Sequence, residues 1–300
     1  MELAWLEDFL TLSSTLNFSR AAELRNLTQP AFSRRIRNLE SWLGVTLIDR
    51  STFPASLTPE GLSFRKGAQE MVRALYREKE QCLQLGGVEP SFHSFVTLHT
   101  IAMSFFPKWL HSLEARLGSM RTQVVVGPMH DCVESLISGA SDFMLFYAHP
   151  SVPLLIDAQQ YPSFAIGRER LIPVSIPGRS GKPRYALKAD KPIPYLRYAR
   201  HTYITRLIDT ILAAQPHLPE FEVVHENRLT LALKAMVLEG YGMTWLPEST
   251  IAAELQAATL VPAGPEEWWL DMHIRAYRSA IRGAREKERV WASLHDLAID

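Results

Sequence analysis

Three arginines crowd into four positions early in the chain, four residues after a proline. Residues 26–40 read NLTQPAFSRRIRNLE and contain Arg34, Arg35 and Arg37. Arginine can pair in bidentate fashion with guanine or phosphate, and glutamine can pair with adenine. These residue types therefore allow recognition of nucleic acid. The alternative is a basic helix face that only meets solvent.

A helical wheel separates the apolar and polar side chains of this segment. At about 100° per residue, Phe32, Ile36 and Leu39 fall within about 60° of each other, so we expect them to be buried. Arg35 lies nearer the buried edge and is the arginine least suited to reading a base. The polar side of the helix would present Gln29, Pro30, Ser33, Arg34 and Arg37.

The positive charge is local rather than general. The whole chain has 32 basic and 32 acidic residues, so it carries no net charge. Residues 19–37 hold five arginines against one glutamate, a local charge of five minus one, or +4. Residues 1–61 hold six arginines against seven acidic residues, a net −1. Binding to DNA would therefore depend on a concentrated patch.

Short helices and a small hairpin are predicted around the arginines. Ser19 is a plausible N-cap for a second helix, and Thr28 for a third helix with Pro30 in its first turn. The stretch GVTLIDRSTFPASLTPEG (44–61) has the alternation and turn residues of a hairpin or wing. Two helices of this kind followed by a wing form a winged helix-turn-helix.

A long helix is predicted from Thr58–Pro59 to about Leu85. Its last 24 residues, 62–85, alone span about 36 Å, which is more than the first 61 residues can cover. The apolar stripe along them predicts pairing with a second copy. The segment GGVEPS (86–91) then breaks the helical pattern and marks a hinge. Beyond residue 91, strands and helices alternate as in an α/β region.

Motifs of enzymes and of secreted or membrane proteins are absent from the sequence. The histidines show no HExxH spacing, and there is no G-x-S-x-G elbow or P-loop. The two cysteines, Cys82 and Cys132, form no CxxC pair, which fits a reducing, cytoplasmic setting. No apolar run approaches the ~20 residues needed to span a bilayer. We therefore expect that the protein is not an enzyme, and that it binds no cofactor, no metal ion and no membrane.

The order of several motifs resembles the LysR-type transcriptional regulators. The motifs NFSRAAE, TQPAFSRRIRNLE, LGVTLIDR and LTPEG follow one another at that family's spacing, and LEGYGMTWLPE resembles its late G-G-LPE stretch. The resemblance covers essentially the whole chain. It implies an α+β multidomain fold with a winged helix-turn-helix DNA-binding domain, a long linker helix, and an α/β effector domain of two Rossmann-like subdomains. That last domain would be of the periplasmic-binding-protein type.

The resemblance also implies domain boundaries and DNA contacts. The DNA-binding domain would span 1–61, the linker helix and hinge 62–90, and the effector domain 91–300. Subdomain I would comprise 91–160 and 267–300, and subdomain II 161–266. Base-reading residues would be Gln29, Pro30, Ser33 and Arg34. Phosphate contacts would come from Arg37 and, at the wing, Arg50.

Effector-binding residues are expected where strands lead into helices around the cleft between the subdomains. Threonine hydroxyls and helix-start N–H groups suit a polar or anionic ligand. Thr100 is the strongest single candidate, because the family often has Ser or Thr there. Each candidate could also have a purely structural role in place of effector binding. Thr100 and Thr202 could be N-caps, and others could be packing or ion-pair residues. The full set is His99, Thr100, Met129, Arg200, His201, Thr202, Tyr203 and Asn227.

The resulting prediction is a cytoplasmic regulator that binds double-stranded operator DNA and a small effector. It would dimerise through the linker helix and form a tetramer. Two alternatives stay open. NFSRAAE, LHT and RHTYITRLI are similar to the hypochlorite-responsive branch of the family, which suggests switching by Met or Cys oxidation. A solute-binding module without DNA binding is the alternative from another class.

Overall fold

Two separate hydrophobic cores organise the chain. The computed structural model describes residues 2–52, 54–86, 92–154, 156–188, 191–200, 202–281 and 285–299. The smaller core draws on side chains from Leu6 to Val72, and the larger on side chains from Phe95 to Leu294. Separate cores are the mark of separate domains. Most of the predicted hinge, from residue 87 to 91, lies outside the described ranges.

The described residues of the first part form four helices and a hairpin. Phe9 of the first helix packs against Phe64 of the fourth, and Phe18 packs edge-on against Phe32. The two short strands pair antiparallel and form the predicted wing. The elements are α1 (Leu3–Thr15), α2 (Phe18–Leu24), α3 (Gln29–Leu43), β1 (Ile48–Asp49), β2 (Ser56–Leu57) and α4 (Pro59–Leu85).

The helix caps differ in part from the prediction. Asn17, not Ser19, caps α2, because its Oδ1 accepts a hydrogen bond of 3.0 Å from the backbone N–H of Arg20. Thr28 precedes α3 as predicted, but its side chain makes no capping hydrogen bond there. Each helix start offers several polar residues, and the backbone path selects the one that caps.

The linker helix α4 starts as predicted and runs for 27 residues. The Thr58 hydroxyl caps it by accepting a hydrogen bond of 3.0 Å from the backbone N–H of Gly61. One face contributes buried residues to the smaller core, whereas Leu62, Met71 and Leu75 remain 60%, 39% and 50% exposed. The predicted apolar stripe is therefore only partly covered within one chain.

The larger part alternates strands and helices. Its central strands are almost entirely buried, as expected where helices cover both faces of a sheet. The elements are β3 (His93–Thr97), α5 (His99–Ser104), α6 (Phe106–Leu117), β4 (Thr122–Val126), α7 (Met129–Ser138), β5 (Phe143–Ala148), β6 (Ser163–Ser175), β7 (Ile193–Tyr198), α8 (Tyr203–Ala213), β8 (Phe221–Asn227), α9 (Thr230–Leu238), β9 (Thr244–Pro247), α10 (Glu248–Gln256), β10 (Val261–Pro262), a 3₁₀ turn (Glu266–Trp268), β11 (Leu270–Arg278) and α11 (Arg285–Asp296).

The long strand β6 connects the two halves of this α/β part. The main sheet has the order β10-β6-β11-β5-β3-β4, with β9 also paired to β6. The parallel pair β7–β8 is a separate small sheet, and an isolated bridge links its Tyr195 to Met243, the residue just before β9. At one end β6 pairs with β11, and at the other with β9 and β10. The fold class expected from the sequence is confirmed.

Candidate DNA interface and effector cleft

The helix α3 presents one buried and one exposed face, as the helical wheel predicts. Phe32, Ile36 and Leu39 are fully buried in the smaller core. On the other side, Gln29, Pro30, Arg34 and Arg37 are exposed. Because these side chains are exposed, the N-terminal half of α3 is accessible to a partner. In a helix-turn-helix, that partner is the major groove of DNA.

Ser33 corrects the prediction for the outward face. It is only 6% exposed, and its Oγ accepts a hydrogen bond of 3.4 Å from Nη2 of Arg37. Ser33 precedes Ile36 by three residues, which places it about 60° from the apolar side. The hydroxyl therefore helps to orient Arg37 and does not lie on the exposed surface.

A buried carboxylate neutralises two of the clustered arginines. Asp8 of α1 is fully buried, and its two oxygens accept hydrogen bonds from Arg25 Nε at 2.7 Å and Arg35 Nη1 at 3.2 Å. Arg25 also pairs with Glu7 at 2.7 Å. Asp8 and Glu7 together thus offset two charges, which is half of the local charge of +4. Arg34 and Arg37, which form no ion pair among the described residues, supply the charge that faces outward.

Arg50 lies at the base of the wing, where Glu40 holds it. The Arg50 Nη2 atom is 2.8 Å from Glu40 Oε2, and the guanidinium lies 5.1 Å from the ring centroid of Phe18. The other Glu40 oxygen accepts backbone hydrogen bonds from Leu47 and Ile48. A single carboxylate therefore fixes both the wing and the arginine that the sequence predicts for a phosphate.

In the effector part, hydrogen bonds between buried hydroxyls connect the two halves of the domain. Thr100 is buried at the start of α5, and its Oγ1 donates to Thr230 Oγ1 at 3.0 Å. The Tyr198 hydroxyl donates to the same Thr230 oxygen at 3.2 Å. Thr230 and Tyr198 are not among the effector residues predicted from the sequence. The signal was present, because Thr230 also follows a strand and opens a helix.

A buried carboxylate is linked to the end of α5 through Ser249. Glu169 of β6 accepts hydrogen bonds from the backbone N–H and the hydroxyl of Ser249. The Ser249 Oγ also lies 2.9 Å from Ser104 Oγ at the end of α5. Burial raises the pKa of Glu169, and the hydrogen bonds from Ser249 oppose that shift.

The hydroxyl of Tyr147 is a polar atom without a hydrogen-bond partner in the described part of the chain. Burial, and then the nearby Glu169 and Tyr198, raise its pKa well above the ordinary value. Such an unsatisfied group is uncommon in a folded protein. It makes the neighbourhood of Glu169 and Tyr198 suited to a polar ligand.

Besides Thr100, three more of the predicted effector residues use their side chains in hydrogen bonds within the chain. Thr202 caps α8, its Oγ1 accepting from the backbone N–H of Thr205 at 3.1 Å. The Tyr203 hydroxyl donates to the carbonyl of Val152 at 2.9 Å. Asn227 Oδ1 accepts from the backbone N–H of Leu229 at 3.0 Å.

The remaining predicted effector residues lie in different places. His99 and Arg200 are exposed, His99 as the first residue of α5 and Arg200 in the turn before α8. Met129 lines a pocket that α7 forms with α1 and α4. His201 is outside the described residues.

The described residues carry neither a metal-binding cluster nor a membrane-spanning helix. No group of three or more His, Cys, Asp or Glu side chains there is arranged to hold a metal ion. In the same ranges, no helix is both long enough and apolar enough to cross a membrane.

Together, the winged helix-turn-helix, the long helix and the two-part α/β domain define a DNA-binding regulator with an effector-binding domain. Residues 3–62 match the family model described as a bacterial regulatory helix-turn-helix protein, lysR family. Residues 94–296 match the model of the LysR substrate binding domain. The chain belongs to the LysR family of transcriptional regulators, and the resemblance seen in its sequence is confirmed.

Individual relatives agree over the full length. The chain is 30% identical to the HTH-type transcriptional regulator YjiE of Escherichia coli K12, covering 100% of this chain and 96% of the relative. Vibrio fischeri DarR, solved in complex with DNA, has a TM-score of 0.60 at 32% identity, with 100% and 99% of the two chains covered. HypT of Salmonella typhimurium, a hypochlorite-specific LysR-type regulator, has a TM-score of 0.61 at 28% identity, with 99% and 98% covered.

These comparisons establish the general function. The protein is a LysR-type DNA-binding transcriptional regulator with an effector-binding domain. Regulators of this family bind operator DNA and effectors and form oligomers. The relatives found are transcriptional regulators, not enzymes.

Proposed function

We propose that α3 is the recognition helix and that Gln29, Pro30 and Arg34 meet base edges in the major groove. Arg37 and Arg50 would contact the flanking phosphates. The observation that carries this proposal is the exposed, acid-free face of α3, beside arginines that Asp8 has already neutralised. Ser33 is left out of the set because it is buried.

Operator affinity of the full-length protein tests the proposal. Arg34→Ala should weaken binding to an operator fragment by about tenfold, because it removes one charge-assisted pair worth about 1–3 kcal/mol. Fluorescence anisotropy at fixed salt measures this. Arg179→Ala, which removes an exposed arginine in the effector part, is the matched control and should bind like the wild type. Equal affinity for both variants would rule out Arg34.

We infer that the effector binds in the cleft beside Thr100, Thr230 and Tyr198. These three hydroxyls come from both halves of the α/β domain, so a polar ligand that replaces their mutual hydrogen bonds would change how the halves meet. The exposed His99 and Arg200 are candidates for the rim. The side chains of three further residues would stabilise the backbone around the site through their hydrogen bonds and would not contact the effector themselves. These residues are Thr202, Tyr203 and Asn227.

Thr100→Val tests the cleft. It removes the hydroxyl while keeping the side-chain volume, so it should abolish the effector response and leave basal operator binding intact. A thermal-shift screen of small carboxylates first identifies a ligand that stabilises the wild type. A normal response in Thr100→Val would remove this residue from the site.

Oxidant sensing is the second candidate, favoured by the likeness to HypT. Met103 of α5 is 56% exposed and is open to oxidation. Cys132 is a poor sensor, because burial raises the pKa of its thiol to about 12. If hypochlorite alters operator binding in the wild type and in Thr100→Val but not in Met103→Leu, oxidation is the signal.

We further propose that the protein dimerises through α4, acts in the cytoplasm where it can reach DNA, and catalyses no reaction. The exposed Leu62, Met71 and Leu75 support pairing of two linker helices, since a second copy would remove them from water. Pairs of dimers would then form the tetramer. Domain limits at about residues 61, 90, 160 and 266 remain part of this proposal.

A further inference from the structure

A pocket of about 340 Å³ lies between the DNA-binding domain and the effector domain, on the outer face of α7. Ser13 and Ser14 of α1 and Arg65 and Gln69 of α4 line one side. His130 of α7 lies opposite, with its Nε2 3.4 Å from Ser14 Oγ. The volume falls in the range of small-molecule sites, which is roughly 300–1,000 Å³.

The electrostatics of this pocket favour an anion. Arg65 is partly buried, and burial lowers its pKa. Neither Arg65 nor Arg206, at the rim, forms an ion pair with a carboxylate among the described residues. The acid in the lining is Glu134, whose Oε2 lies 3.7 Å from His130 Nε2. A partly desolvated guanidinium without a partner is unfavourable, and a bound carboxylate would relieve that cost.

Most of the remaining wall is apolar, apart from Ser138. Leu10 of α1, Met129, Val133 and Ile137 of α7, and Leu154 line it. Arginine next to aliphatic side chains matches a molecule with an anionic group at one end and an apolar body. Met129, which the sequence places among the effector-binding residues, is one of the residues that line this pocket.

We propose that this interdomain pocket binds a small organic monoanion with an apolar body, at a site separate from the effector cleft. Its carboxylate would pair with Arg65 and accept a hydrogen bond from the side-chain amide of Gln69 on the same wall. Because α1 belongs to the helix-turn-helix and α7 to the effector domain, the ligand would hold one domain against the other. Its binding would therefore be coupled to the position of α3 on DNA.

Calorimetric titration of the full-length protein with benzoate, phenylacetate and octanoate tests the site. At least one of these should bind, and benzamide, which lacks the charge, should bind about tenfold more weakly or not at all. Arg65→Gln should weaken carboxylate binding by about tenfold or more. Ser14→Phe, which fills the pocket from α1, should abolish it. Thermal unfolding verifies that both variants are folded.

The cleft variant Thr230→Val distinguishes the two sites and should retain the wild-type affinity for the carboxylate. The proposal is wrong if none of the three carboxylates binds to the wild type. It is also wrong if Arg65→Gln and Ser14→Phe both bind like the wild type, or if Thr230→Val loses binding while they keep it. The last result would place the carboxylate in the cleft.

Discussion

At the scale of single residues, two kinds of arginine must be distinguished in the DNA-binding domain. Arg25 and Arg35 are bound to the buried Asp8 and stabilise the domain, whereas Arg34 and Arg37 face outward. The helical wheel already set Arg35 apart from its neighbours. It could not identify Asp8, because that partner lies 27 positions earlier on another helix.

Asp8→Asn should destabilise the protein by about 2–3 kcal/mol, because it leaves two arginines with an incomplete, partly buried ion network. Denaturant unfolding measures the change. Glu23→Gln is the control: Glu23 pairs with Arg20 at the surface with 68% of its side chain exposed, so its loss should matter by less than about 0.5 kcal/mol. Similar losses for the two variants would contradict a structural role for Asp8.

The positions of polar side chains at the boundary between buried and exposed surface were the least predictable from sequence. Ser33 was expected outside because it is polar, but its angle on the helix places it beside Ile36. Thr230 was overlooked although it follows the same pattern as Thr202. A polar residue type indicates what a side chain can do, whereas packing against other elements decides where it points.

At the scale of elements, the sequence predicted the helices and the wing well because their periodicity is strong. Apolar spacing in α3 and the length of α4 follow from local rules. Helix caps were less predictable, because Asn17, which precedes α2, and Ser19, in its first turn, are both polar residues that favour capping. The contact between α4 and the wing depends on close packing that periodicity does not contain.

Gly61 should be intolerant of a side chain for this reason. A Cβ at Gly61 would lie 2.1 Å from the Leu47 carbonyl oxygen, so Gly61→Ala should force the wing and α4 apart and cost about 2 kcal/mol or more. Gly67, in the same helix, has no atom within 4 Å of that position. Gly67→Ala should stabilise the protein by up to about 1 kcal/mol. Thermal unfolding of both variants measures the difference. Equal shifts in Tm would contradict the close approach of Gly61 to the Leu47 carbonyl.

At the scale of the whole molecule, contacts between residues far apart in the chain determine how the elements pack together, and these contacts were not predictable from the sequence. The alternation of strands and helices predicted an α/β effector domain, and the family resemblance supplied its two-part form. Packing of α1 on α7 joins Ser14 to His130, 116 positions apart. No local pattern predicts such a contact, so the pocket between the domains became visible only in the structure.

The central claim is that α3 reads operator sequence through Gln29 and Arg34, and binding-site selection from a random DNA pool tests it most directly. The full-length wild type should enrich two related half-sites, spaced by whole turns of the duplex. Arg34→Ala should lose the preference at one base position in each half-site, by about tenfold, and keep the others. If Arg34→Ala selects the same sequences with the same preferences as the wild type, α3 does not read DNA through this residue and the account is wrong.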